Sequence, residues 1–202
     1  MTGDTGVIAI LFGPPGSGKG TQAAYIADTF DLLHVSTGEM LRAEVARGTS
    51  LGREVEEVMK SGELVSDDLI VRLIEAHLAD REGHQGVLLD GFPRTVPQAG
   101  ALDAMLARTS RAIDVLLFLD VPSEELRRRI LRRAEEEERA DDTPDAVATR
   151  LDVYERETAP VLDHYREGGV AVRRIDGVGD IDDVRARIRA AFPGAHGGTV
   201  SS

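Results

Sequence analysis

The chain has 202 residues, 42% of them apolar and 30% charged, the proportions of a globular protein with room for one compact domain and small inserts. Thirty-six acidic residues against 24 basic ones leave a net charge of -12, which argues against binding a nucleic-acid backbone or an anionic membrane face, and no apolar run reaches the roughly 18 residues of a membrane span. There is no cysteine, so disulfides and thiolate zinc sites are excluded and no zinc is expected.

Met1 to Gly6 lacks the basic-then-apolar layout of a secretion signal, and a cytoplasmic protein is expected. Val7 to Phe12 is a continuous apolar run closed by Gly13, which predicts a strand buried on both faces. The stretch Gly13-Pro-Pro-Gly-Ser-Gly-Lys-Gly-Thr21 joins that strand to a predicted helix. A glycine-rich turn in that context lets successive backbone N–H groups and the helix N-terminus converge on phosphate oxygens. Gly16, Ser17, Gly18, Lys19, Gly20 and Thr21 are therefore candidate phosphate-binding residues, with Lys19 reaching the outer phosphates. Gly20 stands where such loops usually carry a hydroxyl, and Thr21 comes one later, which counts against direct magnesium ligation by that hydroxyl. The basic residues are 22 Arg and two Lys, Lys19 and Lys60, so a lysine in this loop stands out against the chain's own bias.

Further apolar runs at Leu32 to Val35, Val87 to Leu89, Val115 to Leu119 and Val170 to Ile175 alternate with amphipathic segments, the pattern of an α/β fold with a five-stranded parallel sheet covered on both faces. Between the second and third runs lie three predicted helices, Glu39 to Arg47, Leu51 to Lys60 and Ser66 to Asp80, more chain than one crossover needs. Part of it is expected to project as a subdomain. Arg132 to Asp142 is dense in charge and reads as a solvated flap, followed by a long helix from about Thr143 with Pro160 as a kink. The Gly-rich tail after Phe192 is expected to be disordered. The five histidines, His34, His77, His84, His164 and His196, show no metal-ligand spacing and receive no chemical role; Tyr154 and Tyr165 read as packing residues.

Three motifs together carry a resemblance: GPPGSGKGTQ, then Ser36-Thr37-Gly38-Glu39-Met40-Leu41-Arg42, then Asp90-Gly91-Phe92-Pro93-Arg94-Thr95 with Gln98. In order and spacing the chain resembles the adenylate kinase family from about Val7 to Phe192. Through Arg139 to Pro144 and Tyr154 to Pro160 it is similar to bacterial members with a short lid. The resemblance implies a P-loop NTPase-type core (7–35, 66–132 and 143–192), a mobile helical AMP-binding insert (36–65) and a short lid (133–142). It implies a monomer that transfers a phosphoryl group reversibly from ATP to AMP, giving two ADP, with Mg²⁺.

Carried over by residue, Lys19, Arg94, Arg133, Arg139 and Arg150 match the catalytic cations, which suits a loose transition state stabilised mainly by positioning and positive charge. Arg129, one helical turn before Arg133, joins the ATP set with Arg133, the loop residues and Gly179. Thr37, Arg42, Glu63, Leu64, Val65, Gly91, Phe92, Pro93, Arg94, Gln98, Arg139 and Arg150 match the AMP site, and Asp90 matches a residue that holds magnesium through water. Glu135 to Glu138 would place four carboxylates in the lid, where they repel ATP and favour the open state. Two other readings share the motifs. One is a UMP/CMP or GMP kinase, against which Thr37 and Gln98 weigh. The other is a catalytically silent nucleotide-binding sensor, against which the full cation set weighs.

Overall fold

The structure, a computed structural model, describes residues 6–78, 86–137 and 143–193, with backbone alone at 77 and 133–137. Five strands alternate with helices in the order β1 (Val7–Phe12), α1 (Lys19–Phe30), β2 (Leu32–Ser36), α2 (Thr37–Ala46), α3 (Ser50–Ser61), α4 (Asp67–Leu78), β3 (Gly86–Asp90), α5 (Val96–Ala107), β4 (Val115–Asp120), α6 (Ser123–Glu137), α7 (Pro144–Val153), α8 (Pro160–Glu167), β5 (Ala171–Asp176) and α9 (Ile181–Ala191). The strands form one parallel sheet in the order β2-β3-β1-β4-β5. Chain order reverses on either side of β1, and open α/β sheets bind ligands beyond the strand C-termini at such a switch point. The register pairs Leu11 and Ser36 with Asp90 and Phe12 with Phe118, so the loops after β1, β2 and β3 leave the sheet side by side.

Period-two alternation of the buried strands divides the core. Ile8, Ile10, Phe12, Val87, Leu89 and Leu116 face one layer with α5 and α8, while Ala9, Leu11, Leu88, Val115 and Leu117 face α1 and α9. Leu41 of α2 and Val55 of α3 belong to the first layer, so the segment read from sequence as projecting roots its apolar face in the main core. The α2–α3 corner is closed by Thr49, which caps α3 through Gly52 N–H (2.9 Å) while its own hydroxyl donates to Glu44 Oε2 (2.6 Å).

Most predicted elements lie within a residue or two of those observed. The α2 helix begins at Thr37 rather than Glu39 because Ser36 is its N-cap, accepting from Glu39 N–H at 3.5 Å. The expected kink at Pro160 takes the form of a π-helical turn over Tyr154–Thr158. Proline has no N–H to continue the ladder, and Ala159 N–H reaches back five residues to the Tyr154 carbonyl at 2.7 Å. Tyr165 is fully buried and Tyr154 lies 6.1 Å from the Phe12 ring, so both pack against the core. The α6 helix continues through Glu137, making the first half of the segment read as a flap helical; 138–142, including Arg139, and the tail from 194 lie outside the described residues.

Candidate active site

The loop after β1 turns back under its own lysine. Gly16 has a φ of 80°, and a Cβ there would meet Ile130 Cγ1 at 2.6 Å, so α6 packs directly on the loop and only glycine satisfies both constraints. Gly18, also left-handed, starts α1 as its N-cap. Lys19 Nζ donates to the carbonyls of Gly13 (2.7 Å) and Pro14 (3.0 Å), which holds the ammonium across the loop mouth. Gly20 and Thr21 are exposed on the first turn of α1.

Arg129 ties this loop to the one after β5. Its Nη2 donates to Gly177 O at 3.0 Å and its Nε to Glu125 Oε1 at 2.7 Å, while Gly177 N–H donates to Asp120 O at 2.9 Å. Arg128 pairs with the other Glu125 oxygen at 2.6 Å, and the two arginines hold the Glu125 carboxyl below its ordinary value.

Beyond β3, Gly91 O accepts two hydrogen bonds, from Thr37 Oγ1 (2.8 Å) and Arg94 Nε (2.8 Å). Gly91 is left-handed (φ 75°), and a Cβ would lie 2.9 Å from Arg94 Nη2 and 3.0 Å from Thr37 Oγ1. A side chain at 91 would therefore break the junction between the loops after β2 and β3. Arg42, one turn into α2, lies against Gly38.

Asp90 is 7% exposed at the end of β3. Burial works against its charge, but His34, 3.5 Å away on β2, and the charges of Lys19 and Arg94 together hold its carboxyl below the ordinary carboxylate value. His34 is raised in turn, chiefly by Asp90 and against the opposing effect of burial. The sequence spacing of His34 announces no role. The two residues are 56 positions apart in the chain, and only the β2–β3 pairing brings them together. Asp67, at the start of α4, is a second residue missed in sequence: its carboxylate accepts from Gln98 Nε2 at 2.7 Å.

A cleft of ≈ 1090 Å³ is lined by Gly16 to Thr21, Asp90 to Arg94, Arg129, Gly179, Arg42, Leu64 and Arg150. A smaller pocket of ≈ 70 Å³ adjoins it, lined by Thr37, Glu63, Leu64, Val65 and Gln98. Arg42, Arg94 and Arg150 line both. Of the site residues expected from sequence, Arg133 is described in its backbone alone and Arg139 lies outside the described residues. No group of three or more His, Asp or Glu arranged to hold a metal occurs among the described residues, and none of their helices is long and apolar enough to cross a membrane.

A lysine-bearing phosphate loop at a sheet switch point, facing a cleft walled by arginines, defines a P-loop phosphotransferase. The sequence profile described as "Adenylate kinase" matches residues 11–170. The chain is 50% identical over 183 residues to an adenylate kinase of Stenotrophomonas maltophilia strain K279a, covering 91% of this chain and 97% of that one. It is 48% identical over 185 residues to the adenylate kinase of strain R551-3 (92% and 98% covered) and 50% identical over 183 residues to that of Xanthomonas euvesicatoria (91% and 97%). The chain belongs to the adenylate kinase family: it is a nucleoside monophosphate kinase, and its function is that of an adenylate kinase.

Proposed function

We propose that this chain, acting as a cytoplasmic monomer, binds ATP over the Gly16 to Thr21 loop and AMP in the pocket lined by Thr37, Glu63 to Val65 and Gln98, and transfers the γ-phosphoryl group reversibly to give two ADP. The observation that carries this reading is that three arginines, Arg42, Arg94 and Arg150, line both the large cleft and the small pocket. Two polyanions brought end to end need shared cations where their phosphates meet. The acceptor phosphate oxygen is already anionic at neutral pH, so the residues need only position it and stabilise charge on the equatorial oxygens. Lys19, Arg94 and Arg150 supply that charge, with Arg133 and Arg139 added from the lid over 133–142; Arg129 and Gly179 hold the ATP end.

Magnesium fits the donor set as a water-bound ion. Mg²⁺ keeps several waters and takes one or two carboxylates plus substrate phosphates, and Asp90 offers one buried carboxylate kept ionised beside Lys19. When bound, the ion neutralises charge on the transferred phosphates.

The test is a coupled assay of ADP formation from MgATP with AMP, CMP, UMP and GMP in parallel. AMP-selective turnover is expected, falling roughly 10²–10³-fold in Lys19→Ala and in Arg94→Ala, the loss typical of removing one preorganised charge-stabilising donor. Preference for another acceptor would overturn the base assignment, and binding without turnover would overturn the catalytic one.

A further inference from the structure

We infer that Asp67 is a positioning residue for base selection: with the Arg94 amide it locks the Gln98 side chain in the one orientation that reads a 6-aminopurine and rejects a 6-oxopurine. The inference rests on the reading that the acceptor base meets Gln98. A glutamine amide is nearly symmetric in shape but opposite in hydrogen-bonding sense at its two ends, so it can read a base edge only if something fixes which end is which. Gln98 is 2% exposed and lines the small pocket. Its Oε1 accepts from Arg94 N–H at 2.8 Å, and its Nε2 donates to Asp67 Oδ1 at 2.7 Å.

Neither partner can change sense. A backbone N–H only donates and an ionised carboxylate only accepts. Thr95 holds the carboxylate in place, its hydroxyl 3.2 Å from each Asp67 oxygen while it accepts from Gln98 N–H at 3.2 Å. A rotation of the amide by half a turn would bring an N–H against the Arg94 N–H and a carbonyl against a carboxylate, in a site too buried for water to compensate.

With both ends used once, Gln98 retains one lone pair on Oε1 and one N–H on Nε2. Adenine presents an amino donor at position 6 beside the N1 acceptor, which matches that pair. Hypoxanthine presents a carbonyl acceptor beside an N1–H donor, the inverse, and would require the rotated amide. A site whose buried polar groups are left unpaired discriminates far more strongly than one that distinguishes by shape.

The experiment measures kcat and KM for AMP and for IMP, with MgATP as donor, in the wild type, Asp67→Asn, Gln98→Ala and the double variant. The wild type is expected to favour AMP at least about a hundredfold in kcat/KM. Asp67→Asn lets residue 67 present either a donor or an acceptor, and the AMP/IMP ratio is expected to narrow about tenfold, through a gain on IMP as well as a loss on AMP, with KM for ATP unchanged. In the Gln98→Ala background Asp67→Asn should leave the ratio as it was, because the lock has nothing to hold. If Asp67→Asn does not fold, Asp67→Ser, which also removes the anion, gives the same readout. Equal losses on AMP and IMP would assign Asp67 a purely structural role and overturn the lock. A wild type that does not discriminate between AMP and IMP would instead overturn the placement of the base at Gln98.

Discussion

Asp90 carries its charge where burial disfavours it, and it remains ionised because three cationic partners surround it. His34 is the partner whose charge depends on pH. Its pKa is raised above 6.5, so its contribution to stability is complete below about pH 6.5 and is lost as pH rises through the raised value. Asp90 is lowered below 3.8, so its contribution is complete above about pH 3.8 and is lost as pH falls through the lowered value. The pair is therefore at full strength between those limits. Replacing His34 by glutamine keeps a hydrogen-bond donor but removes the charge. At about pH 5.5 the His34→Gln variant should be roughly 1 kcal/mol less stable than the wild type, a drop of about 2–4 °C in Tm, and the gap should shrink by about pH 8.5. Thermal melts of both proteins at the two pH values check this, and an equal gap at both would show that the contact works through shape alone. Nothing in the spacing of His34 announces this pairing, since the contact is made across two strands; the carboxylate was legible because it ends an apolar run inside a recognisable motif.

At the scale of elements, the readable parts are those whose pattern has a single physical cause. Strands β1, β3 and β4, covered on both faces, are apolar up to the acids that close β3 and β4, and their runs are visible as such. The π-helical turn before Pro160 leaves no comparable trace, because α and π registers use the same residues and differ only in which carbonyl is left to accept. The α2–α3 segment was legible as an extra pair of helices, while its attachment was not. Val55 of α3 is 2% exposed and joins Leu41 and Ile70 in the core layer that also holds β1 and β3. At the far end of α3, Gly62 approaches α7 so closely that a Cβ would meet Ala146 O at 2.6 Å and Arg150 Cγ at 2.8 Å. The small pocket thus depends on α3 being seated. Val55→Ala should cost roughly 2 kcal/mol of stability, the lost burial plus the cavity left behind. If the pocket holds AMP, the same variant should raise KM for AMP severalfold and leave KM for ATP near the wild-type value. Denaturant unfolding together with initial rates separates the two effects, and equal changes in both KM values would mean that α3 does not shape the acceptor site selectively.

For the whole molecule, the exclusions drawn from composition and the chemistry of the site pull in opposite directions. The net charge of -12 repels anions at a distance. The cleft reverses that sign locally: Lys19, Arg42, Arg94, Arg128, Arg129, Arg132 and Arg150 line it against Glu39, Asp90, Glu125 and Asp180. A sum over the sequence could argue against nucleic acid as a partner but could not reveal a basic interior, because that depends on which of the 24 cations the fold turns inward. The two fields differ in reach. Charges spread over the exterior act across distances longer than the Debye length, about 10 Å at 0.1 M salt, whereas those lining the cleft act at contact and from partly buried positions. Moderate salt should therefore remove the repulsion before it weakens the attraction. Apparent KM for ATP is expected to fall as ionic strength rises from about 0.01 M to about 0.1 M and to rise again towards about 1 M. Glu135 to Glu138 run directly up to Arg139 in sequence, and replacing all four with glutamine should lower the KM at the low-salt end and flatten the initial fall. Steady-state titrations of ATP at fixed AMP across that range are the measurement. A KM in the wild type that only rises with salt would mean that the cleft cations dominate at every distance and that the acidic exterior has no part in nucleotide capture.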